Sequence, residues 1–142
     1  MSVSHILNLK GGDVLTVEPL TPLADVSRLL TEKRIGAVVV VEGEKILGIL
    51  SERDLVHAVA RDGAAALGRP ARDCMTSKVT TCGRETGINE LMEVMTRGRF
   101  RHLPVVENGR LAGIVSIGDV VKARIAEIQH EADQIRDYIA TA

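Results

Sequence analysis

The sequence repeats itself at an offset of 65 residues, and this repeat constrains the fold more than any other feature. Segment 36–56 aligns on segment 101–121 without a gap, and the register extends upstream, where 14–17 meets 79–82. Two copies of one short unit predict two similar substructures related by an approximate two-fold axis. One copy alone is too short to bury a stable core, so we expect both to fold as one unit, with a seam that favours ligand binding.

The order of apolar and turn residues predicts β-α-β-β-α in each copy, and therefore an α+β fold. Residues 1–61 are predicted to form the first repeat, including an N-terminal helix. Residues 62–69, rich in Gly and Ala, are predicted to form a linker. Residues 70–142 are predicted to form the second repeat, which opens with a short helix, continues with a strand at 78–82 and ends in a C-terminal helical extension.

The predicted last helix carries an apolar stripe at alternating spacings of four and three residues. Its members are Val121, Ile125, Ile128, Ala132, Ile135 and Ile139. The stripe either covers the N-terminal helix of the same chain or forms a contact in a homodimer. We favour the homodimer, because the stripe is longer than one small module needs.

Composition excludes several classes of function. The net charge of −1 and the scarcity of aromatic residues, Phe100 and Tyr138 alone, disfavour nucleic acid as a partner. Two cysteines, Cys74 and Cys82, cannot complete a zinc site, and no metal is predicted. Because the sequence has neither a secretory signal nor a long apolar run, we expect a cytoplasmic protein with no membrane partner.

The most specific local pattern is Gly-h-h-Ser-x-x-Asp, where h is apolar, at 48–54 and again at 113–119. A strand is predicted to end at each Ser, and a helix to begin just after it. The Ser hydroxyl and the first helical N–H groups then suit a phosphate, and the Asp carboxylate suits the vicinal diol of a ribose. Alternatively, Ser and Asp form a capping box that only stabilises the helix start.

The two copies differ in charge at the seam. Arg99, Arg101 and His102 precede the apolar strand of the second copy and predict a phosphate pocket. The corresponding residues of the first copy are Arg34, Gly36 and Ala37. Conversely, Arg53 of the first copy corresponds to Gly118 of the second. Solvated arginines and a histidine with a local hydrogen-bond partner remain the alternative interpretation.

These motifs, together with the segment RHLPVVENGRLAGIVS, resemble a pair of CBS domains, a Bateman module, over about residues 3–125. The resemblance implies a free-standing module of bacterial type that binds AMP, ADP, ATP, NAD or S-adenosylmethionine in clefts between the repeats. It also implies a homodimer that acts on a separate, unknown protein.

The resemblance further implies roles for individual residues. It assigns the ribose to Asp54 and Asp119, and the phosphates to Ser51, Ser116, Arg101 and His102. It assigns the pocket for the base and sugar to Thr16, Val17, Val38, Thr81, Cys82, Leu103 and Pro104. The charge difference between the copies adds Arg53 and Arg99 to the predicted phosphate contacts.

The sequence lacks a P-loop, a GxGxxG motif and a nucleophile elbow, so we expect no enzymatic activity. The leading hypothesis is a regulatory module that senses adenine nucleotides, which are its regulatory ligands rather than catalytic cofactors. The alternative is a dimeric scaffold that binds a partner and whose clefts are vestigial.

Overall fold

Two small β-sheets, one from each repeat, carry helices around them, and the fold is of the predicted α+β class. The structure is a computed structural model and describes residues 1–141. Ala142, at the end of the predicted second repeat, lies outside the described residues. The helices and strands in chain order are α1 (Val3–Lys10), β1 (Thr16–Val17), α2 (Leu23–Lys33), β2 (Ala37–Glu42), β3 (Lys45–Ser51), α3 (Glu52–Asp62), α4 (Ala71–Cys74), α5 (Ile88–Gly98), β4 (His102–Glu107), β5 (Arg110–Ser116) and α6 (Ile117–Thr141).

The two sheets differ by one strand. In the first sheet β1 pairs parallel to β2, and β2 forms an antiparallel hairpin with β3. In the second sheet the strand predicted at 78–82 is reduced to a single parallel bridge between Cys82 and Val105. The physical reason is Pro104, because the equivalent Val39 donates its N–H to the Leu15 carbonyl at 3.2 Å. Proline has no N–H, so that rung of the ladder is lost.

Helix α1 precedes the first repeat in the chain but packs in the core of the second. Its residues Val3, Ile6 and Leu7 are buried in one cluster with apolar residues of α5, β4 and β5. The Val3 N–H also donates to the Thr86 carbonyl at 2.9 Å. Helix α1 therefore belongs to residues 1–61 along the chain and contributes its apolar side chains to the core of the second repeat.

The core of the first repeat is likewise completed by a helix that precedes the other repeat in the chain. The segment predicted as a linker contains a 3₁₀-helix at Gly63–Gly68, and its Ala66 is fully buried with Ala71 of α4 against α2 and the first sheet. The Ala71 N–H donates to the Thr21 carbonyl at 2.7 Å. Each repeat is thus covered by the helix that precedes the other repeat. The segment after each helix consequently reaches a Ser-x-x-Asp motif distant in sequence.

Helix α6 joins the second core only at its start. Val120 is 1% exposed and Ala123 packs against that core, whereas Val121, Ile125 and Ile128 are 49%, 63% and 49% exposed. Ile135 and Ile139 are 61% and 68% exposed. The apolar stripe therefore does not cover α1 and leaves an unpartnered face. In the described part of the chain, no helix is both long enough and apolar enough to cross a membrane.

Candidate functional site

Both Ser-x-x-Asp motifs form the same cap where a strand runs into a helix. At the start of α3, the Ser51 N–H donates to Asp54 Oδ2 at 2.9 Å, and the Asp54 N–H donates to Ser51 Oγ at 3.4 Å. The corresponding distances at the start of α6, between Ser116 and Asp119, are 2.9 and 3.1 Å. The capping box predicted as the alternative is therefore present. It fixes the position of each carboxylate at the start of its helix.

The environment of Asp54 is set by a close approach of two chain segments. Thr76 follows α4 and pairs with β3, because its N–H donates to the Ile49 carbonyl at 2.9 Å and its carbonyl accepts from Ile49 at 3.0 Å. Gly48 permits this approach, since a Cβ there would lie 2.8 Å from the Thr76 carbonyl oxygen. The Thr76 hydroxyl then donates to Asp54 Oδ1 at 3.3 Å.

A cavity of about 460 Å³ lies between the repeats at this carboxylate, and we call it the Asp54 cleft. Its lining comes from both repeats and comprises Gly36, Ile49, Ser51, Glu52, Arg53, Asp54, Val56, His57, Thr76, Arg99, Phe100, Arg101 and His102. The volume falls in the range of small-molecule sites.

The lining of the Asp54 cleft contains more basic than acidic side chains. Arg53, Arg99 and Arg101 outnumber the two carboxylates, Glu52 and Asp54, in its lining. Within residues 1–141, none of these arginines takes part in an ion pair. Unpaired guanidinium groups beside the N-terminus of α3 are suited to a phosphate, whereas the Asp54 carboxylate is suited to a diol.

His102 lies at the boundary between the repeats. Its imidazole lies close to Gly36, where a Cβ would be 3.0 Å from Nε2. Burial lowers the pKa of His102, and the charges of Lys10 and Arg101 lower it further, against the opposite effects of Asp119 and Glu52. The ring is therefore mainly neutral at pH 7. Charges of both motifs, Glu52 in the first and Asp119 in the second, act on it.

The second motif has different surroundings. A cavity of about 400 Å³ beside Asp119, which we call the Asp119 cleft, is lined by α1 and α6. Its lining comprises Met1, His5, Ile6, Leu9, Lys10, Asp119, Lys122, Ala123 and Ala126. Lys10 Nζ forms an ion pair with Asp119 Oδ2 at 2.7 Å. Burial raises the pKa of Asp119, but the hydrogen bonds from Lys10 and Ser116 and the charge of Lys10 together hold it below its ordinary value.

The structure brings together only part of the predicted site. Ser51, Arg53, Asp54, Arg99, Arg101 and His102 line the Asp54 cleft, and Asp119 lines the other. Ser116 caps α6 beside Asp119. The residues predicted to surround the base and sugar line neither cleft, and they are Thr16, Val17, Val38, Thr81, Cys82, Leu103 and Pro104.

The residues predicted to surround the base and sugar lie outside both clefts for a simple reason. Val38 and Leu103 are 0% and 1% exposed, and each packs inside the core of its own repeat. Thr16 and Thr81 are exposed. Their first strands run alongside β2 and β4, away from the Ser-x-x-Asp motif of the same repeat. The prediction placed Thr16 and Thr81 at the base and sugar, whereas the crossed packing of α1 and α4 brings Lys10 and Thr76 to the two Ser-x-x-Asp motifs.

Several lining residues were not predicted. Thr76, Phe100 and His57 line the Asp54 cleft. Phe100 fits because Gly98 at the end of α5 leaves room, since a Cβ there would lie 2.1 Å from the ring. The position of Phe100 between Arg99 and Arg101 was an available signal, whereas the location of Thr76 depends on tertiary packing.

The cysteines are poor candidates for chemistry. Burial, with a smaller contribution from Glu90, raises the pKa of Cys82 to about 11, and burial also raises that of Cys74. Both are thiols rather than thiolates at neutral pH, and so weak nucleophiles. Among residues 1–141, no three His, Cys, Asp or Glu side chains are grouped so that they could hold a metal ion.

Comparison with known proteins identifies the fold. A CBS-domain protein of known structure from Agrobacterium tumefaciens is 51% identical, with a TM-score of 0.85 over 87% of this chain and 99% of that one. The structure of CBSX2 in complex with AMP is 25% identical, with a TM-score of 0.71 over 88% of this chain and 96% of that one. The mitochondrial CBS domain-containing protein CBSX3 of Arabidopsis thaliana is 32% identical over 97% of this chain and 71% of its own length.

The family model of the CBS domain matches the chain twice, at residues 4–61 and 71–126. The two matches cover most of the chain and correspond to the two repeats. With two sheets, two capped motifs and solved relatives of the same fold, the chain belongs to the CBS-domain family and contains a pair of these domains.

Proposed function

We propose that this protein is a non-catalytic regulatory module that binds an adenine nucleotide in the Asp54 cleft. The observation that carries the proposal is that one cavity contains Asp54 of the first repeat and Arg99, Arg101 and His102 of the second. A nucleotide contacting all of these groups would bridge the repeats. The AMP complex of the relative CBSX2 supports this ligand class.

The proposed orientation follows from charge. Asp54 accepts hydrogen bonds from the ribose hydroxyls, and the arginines and the N-terminus of α3 bind the phosphates. The apolar side chains of Ile49, Val56 and Phe100 remain for the base. AMP, ADP, ATP and NAD share these features and S-adenosylmethionine shares the adenosine part, so all five belong in the test.

Regulation requires that the ligand bind one state of the module more tightly than another. We propose that the bridging nucleotide changes the relation of the two repeats, and with it the exposed face of α6. A homodimer and a separate regulated protein are the partners proposed for that face. The motivating observation is the row of exposed isoleucines from Ile125 to Ile139.

The test is calorimetric titration of protein freed of carried-over ligand with the five ligands. We expect saturable binding of at least one nucleotide and a weaker affinity for it in Asp54→Asn. A ligand at a hundredfold excess over its dissociation constant should stabilise the fold by about 2.7 kcal/mol. If no ligand binds and none raises the melting temperature, the proposal fails.

The second candidate function is a dimeric scaffold with vestigial clefts, and the exposed face of α6 is the observation that favours it. Truncation after Arg124 then converts a dimer to a monomer in sedimentation while the melting temperature of the core is retained. A monomeric full-length protein would exclude this candidate, whereas nucleotide binding in the same sample would favour the first.

A further inference from the structure

Lys10 occupies in the Asp119 cleft the place where a ligand would meet the carboxylate. Its ammonium group lies 2.7 Å from Asp119 Oδ2 and 2.9 Å from the Ile114 carbonyl oxygen. Lys10 is the last residue of α1, the helix that crosses from the first repeat to the second core. Both partners are only partly exposed, at 33% and 25% of their side chains.

The other half of the molecule differs at the same positions. Met75 and Thr76 stand where the 65-residue register places Lys10 and Gly11. Thr76 offers a neutral hydroxyl to Asp54 at 3.3 Å, and Met75 packs on the first core beside Gly48. In the Asp54 cleft, then, no cation from the preceding helix neutralises the carboxylate, whereas in the Asp119 cleft one does.

A sugar entering the Asp119 cleft would have to displace this ammonium group. A neutral diol would replace an ion pair, in which donor and acceptor are both charged, by hydrogen bonds in which only the carboxylate is charged, and Lys10 would lose its carbonyl partner as well. Phosphates would gain less in compensation than in the Asp54 cleft, because Lys122 is the one lysine besides Lys10 in this lining, which has no arginine, and Gly36 and Ala37 stand where the second repeat has Arg101 and His102.

We propose that Lys10 closes the Asp119 cleft to adenosyl ligands, so that each chain takes up a single nucleotide, in the Asp54 cleft. The inference rests on the proposed function, which names the ligand class. It adds the stoichiometry and the residue that sets it. The two repeats thereby provide one cleft that binds a ligand and one cleft that is occupied by the Lys10 side chain.

The experiment is calorimetric titration of the full chain with AMP and with adenosine, which has no phosphate and so does not need the missing arginines. Wild-type protein is compared with Lys10→Ala, which removes both charge and bulk, and with Lys10→Arg, which keeps the charge. The double variant Lys10→Ala/Asp119→Asn locates any new site. Melting curves establish that each variant is folded.

We expect one site in wild-type protein and in Lys10→Arg, two sites in Lys10→Ala, and one again in the double variant. Two sites in wild-type protein, or an equal number in wild-type protein and Lys10→Ala, would overturn the inference. A wild-type protein with no site and a Lys10→Ala variant with one site, lost in the double variant, would support the role of Lys10 while refuting nucleotide binding at Asp54. The two proposals therefore fail separately.

Discussion

The Asp54 and Asp119 clefts contain the same cap but have opposite surroundings. In both, a Ser at the end of a strand and an Asp on the first helical turn exchange hydrogen bonds. At Asp54 the other repeat contributes a threonine hydroxyl and a set of unpaired basic side chains, whereas at Asp119 it contributes Lys10. A duplicated motif therefore fixes the position of a carboxylate, and the residues that cross from the other repeat set its charge environment.

The largest expected effect distinguishes the two carboxylates directly. Asp54→Asn keeps the shape of the side chain but removes its charge, and we expect nucleotide affinity to fall by about 1.5–3 kcal/mol, the range for a hydrogen bond to a charged group. Asp119→Asn is the matched control and should leave that affinity unchanged, because Asp119 is already paired with Lys10. Titration calorimetry measures both. Equal losses in the two variants would mean that the clefts are equivalent.

Gly48 and Gly113, which open the two Gly-h-h-Ser-x-x-Asp motifs, should differ in how well they tolerate substitution by alanine. A Cβ on Gly48 would lie 2.6 Å from Met75 Sδ and 2.8 Å from the Thr76 carbonyl oxygen, whereas a Cβ on Gly113 would meet only the flexible side chain of Leu7. We expect Gly48→Ala to lower the free energy of unfolding by about 1–3 kcal/mol, the usual cost of overpacking. Gly113→Ala should cost less in urea denaturation. The reverse order would contradict the close approach at Thr76.

The arginines allow a comparison in which backbone effects cancel. Arg34 and Arg99 follow α2 and α5 at equivalent positions, with φ angles of 54° and 57°. Arg99→Ala should weaken AMP binding roughly tenfold, about 1.4 kcal/mol, because its guanidinium lines the cleft. Arg34→Ala should leave binding unchanged while altering stability to the same extent. Adenosine should bind both variants alike, and a loss of adenosine binding would argue against a phosphate role for Arg99.

His102, which lies between the clefts, supplies a prediction for pH. Because burial first, and then Lys10 and Arg101, lower its pKa below the ordinary 6.5, the unfolded chain binds a proton at His102 more readily than the folded protein does. The contribution of His102 to the free energy of unfolding is therefore fully present above pH 6.5, and it declines as the pH falls from 6.5 to the lowered pKa. The limit is about 1.4 kcal/mol per pH unit.

Urea unfolding between pH 7.5 and pH 5.5 measures this slope. His102→Gln should reduce it, and Lys10→Ala should narrow the pH range of the decline, because removing one of the charges that lower the pKa brings the folded-state pKa closer to 6.5. An identical slope in wild-type protein and His102→Gln would show that other groups cause the acid sensitivity.

Most of the local structure followed from sequence patterns. The hairpin of β4 and β5 around Asn108, the capped start of α3 at Ser51 and the amphipathic α6 were predictable because each depends on residues a few positions apart. The 65-residue repeat also predicted two similar sheets. The strand predicted at 78–82 was wrong in extent because a single missing N–H at Pro104 shortens the ladder.

The candidate site was predictable only in part. Asp54, Arg99, Arg101 and His102 belong to strongly patterned segments and line one cavity. Val38 and Leu103 were expected at the base and sugar but line neither cleft, because both side chains are buried in the core of their own repeat.

The sequence by itself determined that there are two repeats, where their helices and strands lie, and that each carries a capped carboxylate. Only the tertiary structure decided that α1 packs on the second repeat and α4 on the first. That crossing places Thr76 at Asp54 and Lys10 at Asp119, at separations of 22 and 109 residues. Local patterns reflect hydrogen bonds within a few residues, whereas the choice of sheet covered by each helix depends on burial of apolar surface across the whole chain.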